Sequence, residues 1–246
     1  MRAWRLLAPA LAVGIAASLA ACQSSQDKSA ELAKHGATVL KAKPGLQVKG
    51  HNASIKVLGS SVVRDQNGAA VVVTLQNNGS QALVDVPIAI DVLDAKGKKV
   101  FTNTTPGLSK SLQSVPVLEP GKPVDWVNDQ VFVSGAPKSV KVQVGNSTKT
   151  QSSADDPAAV TVSKPTISNS SALGPEANGT IKNNTSTEQD RLLLYAVARK
   201  GGKVVAAGRG GVKKVRTDKP ANYHLFFIGN PNGADVTVTA YPNKLD

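Results

Sequence analysis

From about Ala53 onward, apolar side chains recur at every second position in short runs, and each run stops at Gly, Asn, Asp or Pro. Val71, Val73 and Leu75 alternate with Val72, Thr74 and Gln76, and Ile88, Ile90 and Val92 alternate with Ala89, Asp91 and Leu93. Val140, Val142 and Val144 alternate with Lys141 and Gln143. Successive side chains of a strand point to opposite faces, so the pattern predicts strands with one buried row and one row in solvent. Turn signals separate the runs at Asp65-Gln66-Asn67-Gly68, Asn77-Asn78-Gly79-Ser80, Asp94-Ala95-Lys96-Gly97 and Glu119-Pro120-Gly121. About seven strands in roughly 100 residues is what a β-sandwich requires.

The second half of the chain repeats the first. Asn183-Asn184-Thr185-Ser186 matches Asn77-Asn78-Gly79-Ser80, and Gly201-Gly202-Lys203-Val204 matches Gly97-Lys98-Lys99-Val100. Near the C-terminus, Val236-Thr237-Val238-Thr239 matches Val140 to Gln143. A period of about 100 residues predicts duplicated domains rather than a solenoid of short units. The polar, Ser-rich run from Asn146 to Pro157 reads as a linker. The expected division is 49–148 for the first sandwich domain, 149–157 for the linker and 158–246 for the second sandwich domain.

The N-terminus predicts an address. Arg2 and Arg5 precede an uncharged apolar stretch from Leu6 to Ala21, interrupted by Pro9. That stretch is shorter than the roughly 20 residues of a permanent span, and it fits a secretory signal over 1–21. Positive charge ahead of it keeps the N-terminus cytoplasmic, so the remainder is translocated. It ends Leu19-Ala20-Ala21-Cys22. This resembles the bacterial lipobox, which implies diacylglycerol on the Cys22 thiol and cleavage before it. A membrane partner reached through lipid on Cys22 follows, on the extracytoplasmic face of the cell membrane. Cys22 is the only cysteine, so a lipidated chain has no thiol for a disulfide and must hold together on its apolar cores. Residues 22–48 read as a flexible tether, with a short helix possible from Ser29 to Lys41.

A second resemblance rests on Ile88 to Val100, IAIDVLDAKGKKV, and on Leu192 to Val205, LLLYAVARKGGKVV. Each resembles the strand-turn-strand unit of FxLYD-type immunoglobulin-like domains of bacterial surface lipoproteins, although Arg199 stands near the Asp of that unit. The resemblance implies two tandem immunoglobulin-like antiparallel sandwiches in an all-β protein, acting as a non-enzymatic surface module.

Chemistry is sparse. His35 falls in the tether, His51 before the first strand, and only His224 in a strand-like run from Asn222 to Ile228. There is no GxSxG elbow, no HExxH and no second thiol, so no hydrolase, zinc or blue-copper constellation is legible and no cofactor is expected. Asp91 and Asp94 begin like a calcium loop, but Lys96, Lys98 and Lys99 follow where oxygen ligands belong. Asp155-Asp156 reads as an exposed linker pair, with a weak cation site as the alternative. Gly208-Arg209-Gly210-Gly211 lacks the following helix of a phosphate loop and reads as a Gly-rich bend. Trp126 is expected between the sheets, with sugar stacking at the surface as the alternative.

The formal net charge is +12. Nucleic acid is not expected, because aromatics make up only 4% of the chain and no run interleaves them with basic residues. The densest basic segment holds Arg199, Lys200, Lys203, Arg209, Lys213, Lys214, Arg216 and Lys219, with Asp218 the single acid among them. It reads as a dock for an anionic polymer, lipid headgroups or an acidic protein, or else as a solvated edge where Lys suppresses strand aggregation. The expected activity is non-catalytic binding or scaffolding of an extracytoplasmic envelope protein or polymer.

Overall fold

The computed structural model describes residues 45–133, 135–147, 149–150, 156–170 and 174–242. These lie in one compact unit, Lys43–Asp246. Cys22, the signal segment, and the helix considered for Ser29 to Lys41 fall outside them. Among the described residues no helix is long and apolar enough to cross a membrane.

The unit is all-β, built of four antiparallel sheets, none of them closed. In the first half, β1 (Ile55–Asp65), β2 (Gly68–Asn77) and β6 (Pro123–Val131) form sheet I in the order β1-β2-β6. Sheet II is centred on β3 (Leu83–Asp94), which pairs with β4 (Lys99–Thr102), β5 (Ser114–Leu118), β7 (Pro137–Val144) and β8 (Lys149–Thr150). Strand β8 therefore carries the first half two residues into the stretch assigned to a linker.

In the second half, β9 (Val160–Val162), β10 (Thr166–Ser170), β11 (Gly174–Asn183) and β14 (Ala221–Phe226) make sheet IV. Sheet III runs β15-β13-β12-β16, from β12 (Gln189–Lys200), β13 (Lys203–Val215), β15 (Ile228–Gly229) and β16 (Asp235–Pro242). The two halves share the core of a strand plan, β2-β6 with β11-β14 and β3-β7 with β12-β16, while the flanking strands differ, and details repeat with the shared part. Asp85 and Arg191, the two non-glycine residues with positive φ (52° and 51°) among the described residues, occupy the same place in β3 and β12. Such a backbone costs of order 1–3 kcal/mol, so surrounding structure must hold it in both copies. Buried Asn77 and Asn183 also correspond. Asn77 Nδ2 donates to the Gln81 and Leu118 carbonyls, and Asn183 Nδ2 donates to those of Thr187 and Val215. Their Oδ1 atoms accept from the backbone N–H groups of Gly79 and Thr185. The turn signal Asn-Asn-x-Ser is thus also a buried clamp, tying its own loop to the end of the neighbouring strand at Leu118 and at Val215.

The copies differ where loops differ. Lys200 pairs with Lys203 across a two-residue turn, Gly201-Gly202, and both glycines have positive φ (56° and 75°). Such a turn matches strand twist and favours glycine. The turn from β3 to β4 is longer, and the Asp94 carboxylate closes it by accepting from the N–H groups of Lys96 and Lys98. Continuous β13 corresponds to β4 plus β5, and residues 103–113 loop out between those two. Buried Asn103 fastens that loop: its Nδ2 donates to the Ile88 and Leu112 carbonyls and its Oδ1 accepts from Ile90 N–H. The Gly-rich segment is not a bend but the middle of β13. A side chain at Gly208 would meet the Phe226 carbonyl oxygen at 2.0 Å, and one at Gly210 would meet Leu225 at 2.5 Å. These glycines let β14 cross close over β13.

The cores correct the expectation of half-exposed strands. Residues Ala69 to Val73 are all buried, as are Leu192 to Ala198. Val71, Val73, Leu75 and Trp126 pack with Ile88, Ile90 and Val117 of sheet II. The same cluster takes in Leu193, Tyr195, Val197, Ala207 and Tyr241 of sheet III. Leu192, Leu194, Ala196 and Ala198 point the other way, into a second cluster with Ala177, Ile181 and Leu225 of sheet IV. The central strands β2 of sheet I and β12 of sheet III are therefore covered on both faces, in the layer order II, I, III, IV. A strand covered on both faces reads as a continuous apolar run rather than an alternating one. Trp126 lies between sheets I and II as expected, fully buried, with Nε1 donating to the Ser114 carbonyl at 3.1 Å.

Candidate functional site

The structure divides the basic segment. Arg199, at the end of β12, points at sheet I, where its Nη1 donates to Asp125 Oδ2 at 2.8 Å and its Nη2 to Asp125 Oδ1 at 2.7 Å. Thr74 Oγ1 donates to the same Asp125 Oδ1 at 2.6 Å and accepts from Arg199 Nη2 at 3.3 Å. Two parallel N–H···O bonds fix a guanidinium and a carboxylate in one geometry. Arg209 lies opposite Tyr195 in the same seam. Its backbone N–H donates to Asp129 Oδ2 at 3.0 Å, and its Nη2 donates to Ser111 Oγ. Burial raises the Asp129 pKa above the usual carboxylate value, against the opposing pull of the Arg209 charge and N–H. Burial also pushes the Tyr195 phenol far up, so it stays neutral. A third link joins Gly229 N–H to Asp65 Oδ2 at 2.8 Å. These two arginines seat the second half on the first.

The other basic residues sit toward the two ends of β13. Lys200 and Lys203 are exposed at the Gly201-Gly202 turn, and Lys213 and Lys219 are exposed at the far end. Lys214 pairs with Glu188 at 2.7 Å, and Arg216 with Asp218 at 3.0 Å. Ten residues of strand separate Lys203 from Lys213, or roughly 33 Å at strand rise, so the segment is not gathered at one spot. Beside the Arg199–Asp125 pair lies an open groove of about 480 Å³ between β1 and the β12–β13 turn, lined by Leu58, Ser61, Val72, Pro123, Gly202 and Val204 among others. Its only charged lining residues are that mutually satisfied pair.

A second constellation is on the outer face of sheet IV. Pairing places Ser168, Glu176 and Phe226 in one row across the sheet, Thr166, Asn178 and His224 in the next, and Thr180 and Asn222 in a third. Glu176 Oε1 accepts from Ser168 Oγ at 2.9 Å, and Asn178 Nδ2 donates to Ser168 Oγ at 3.0 Å. Glu176 Oε2 meets His224 Nε2. The His224 ring stands edge-on to Phe226, with centroids 4.5 Å apart and planes at 74°. Of these residues sequence reasoning marked His224 alone. The alternation of Glu176, Asn178 and Thr180 was readable, but nothing in it indicated that Ser168 and Phe226 share their row.

The arrangement is not nucleophilic, since the carboxylate rather than the imidazole stands next to the serine. The His224 contact, followed by that of Ser168, lowers the Glu176 pKa below its ordinary 4.5. A carboxylate with a lowered folded pKa stabilises above its unfolded value, and that contribution disappears as pH falls through the folded value. Carbon-13 NMR of the Glu176 carboxyl is expected to show a midpoint below 4.5 that rises in His224→Ala. An unmoved midpoint in that variant would mean the imidazole does not hold the carboxylate.

Among the described residues no group of three or more His, Cys, Asp or Glu could hold a metal ion. Asp91 pairs with Lys99 at 2.7 Å, away from any ligand set. Asp156 caps the turn at Pro157–Ala159 by accepting from Ala158 N–H at 2.8 Å, while Asp155 lies outside the described residues. No family model matches this chain. The curated proteins give no match either.

Proposed function

We propose that this chain is a non-catalytic, lipid-anchored protein of the bacterial cell envelope, held at the extracytoplasmic face of the membrane through Cys22. Its two immunoglobulin-like sandwich halves serve as one partner-binding module. The observation that carries the reading is the contrast between faces. The inner seam is closed by Leu193, Tyr195 and Val197, with Arg199 and Arg209 paired across it, whereas the outer faces of sheets II and IV carry polar side chains. The same positions of β3 that match Leu193, Tyr195 and Val197 hold Pro87, Ala89 and Asp91. A charge at such a position opposes stacking of a further copy and leaves the face open to solvent. The run Leu19-Ala20-Ala21-Cys22 supports the address, and two acyl chains on one residue anchor stably where one is marginal.

The anchor is tested by metabolic labelling with palmitate. Wild-type protein is expected to take up label and sediment with membranes, and Cys22→Ala to lose both. Label that persists in Cys22→Ala would overturn the assignment.

A further inference from the structure

Four Asn-Gly pairs occur in the chain, at Asn67-Gly68, Asn78-Gly79, Asn178-Gly179 and Asn232-Gly233. This dipeptide carries chemistry of its own. The backbone nitrogen of the glycine can attack the carboxamide carbon of the asparagine, because no Cβ blocks its approach. Three of the pairs are held back by the fold. Gly68 is the first rung of the β1–β2 ladder, opposite Asp65. The Gly79 N–H is committed to Asn77 Oδ1 at 2.9 Å. Gly179 lies within β11 opposite Tyr223, and the Asn178 carboxamide is tied to Ser168 Oγ at 3.0 Å. The fourth pair stands differently. Asn232 and Gly233 are exposed in the turn from β15 to β16, while Pro231 before them is buried. The turn is braced by Ala234 N–H on the Pro231 carbonyl at 3.1 Å and by Asn232 N–H on Asn230 Oδ1 at 3.0 Å. Among the described residues the Gly233 N–H meets no acceptor. A side-chain carbon on Gly233 would lie 3.7 Å from Lys200 Nζ, so an ammonium group borders the glycine.

We infer that Asn232 is a site of spontaneous modification, where this turn converts its own side-chain amide into aspartate and isoaspartate. The Gly233 nitrogen bonds to Asn232 Cγ and gives up its proton through solvent. The Cγ–Nδ2 bond breaks, and Nδ2 leaves with that proton as ammonia. Water then adds to the cyclic imide, and opening at one carbonyl or the other yields the two acids. Water is the sole co-reactant, and nothing is oxidised or reduced. The positive charge of Lys200 favours the oxyanion that forms on the way. The product sets a new carboxylate beside Lys200, offsetting one exposed cation of the basic segment. Isoaspartate also adds a methylene to the main chain just ahead of Asp235, the first residue of β16, which lies opposite Arg199.

The inference stands apart from the partner-binding reading, since it needs neither the anchor nor a ligand. Its test is to hold the purified protein at mildly alkaline pH, folded or in urea, and to map its peptides by mass spectrometry over time. Amide loss and isoaspartate are followed at all four pairs. Unfolding exposes the four alike, so their rates in urea are expected to fall in one range. In the folded protein Asn232 should keep that rate within about threefold, while the other three slow about tenfold or more, since each awaits local opening. The main acidic isoform on cation exchange should build up in wild type and be absent from Asn232→Ser, which keeps Gly233 and the backbone of the turn. Asn232 protected to the same degree as the other three, another pair leading in the folded protein, or a main acidic isoform that persists in Asn232→Ser would each overturn the inference.

Discussion

Replacing Val197 by Asp is expected to unfold the seam and to lower the stability of both halves together, by at least about 3 kcal/mol. Val197 is 2% exposed and packs against sheet I, while Asp91, its counterpart on β3, lies partly exposed on the outer face of sheet II. One residue type, at one place in one strand plan, is therefore tolerated in the first copy and excluded from the second. A carboxylate at 197 would be buried within a cluster of Val, Leu and Tyr side chains. Trp126 is a convenient reporter because it sits in the other half, between sheets I and II. Urea unfolding followed by Trp126 fluorescence should show one cooperative transition in wild type and a lower midpoint in Val197→Asp. Asp91→Val, at the exposed counterpart, should change the midpoint little. If the Trp126 transition did not move in Val197→Asp, the halves would be energetically independent, and the apolar seam would contribute nothing across it.

Trp126→Ala is the second large effect, expected to cost about 3–5 kcal/mol. The indole is fully buried and its Nε1–H is bonded to the Ser114 carbonyl. Truncation leaves a cavity between two sheets held by β-strand ladders, which relax little, and removes the donor to the half-buried Ser114 carbonyl. Trp126→Phe should recover much of the packing but not the hydrogen bond, and should fall between the two in a circular-dichroism urea titration. A loss below about 1 kcal/mol for the alanine variant would mean that the sheets close over the gap.

Much of the strand plan was legible because period-two alternation and turn residues are local signals. Asp65-Gln66-Asn67-Gly68 turns β1 into β2, Asp94 to Gly97 turns β3 toward β4, and Glu119-Pro120-Gly121 lies between β5 and β6. The match of Val236 to Thr239 with Val140 to Gln143 recurs in the pairing, where Ala196 faces Val238 as Ile90 faces Val142. Two readings failed for one reason. Val72 was placed in solvent and Gly208 to Gly211 in a bend, because each depends on what lies across the sheet rather than along the strand. The unbroken run Leu192 to Ala198 did carry the signal of a strand covered on both faces, and an alternating template hid it.

The candidate sites divide in the same way. Counting positive charges along the chain put Arg199 and Arg209 with the lysines, since charge is a property of composition. Only tertiary structure brought Asp125 and Asp129 opposite them from residues more than seventy positions away, and so made those two arginines part of the seam. Likewise Ser168, Glu176 and Phe226 share a row through strand register, which no single strand encodes. The sequence by itself determined an all-β chain, its turns and its internal repeat, because these follow from side-chain alternation and backbone freedom at each residue. Which faces meet and which stay open was decided by sheet-on-sheet packing, because burial of an apolar row depends on the partner surface folded against it.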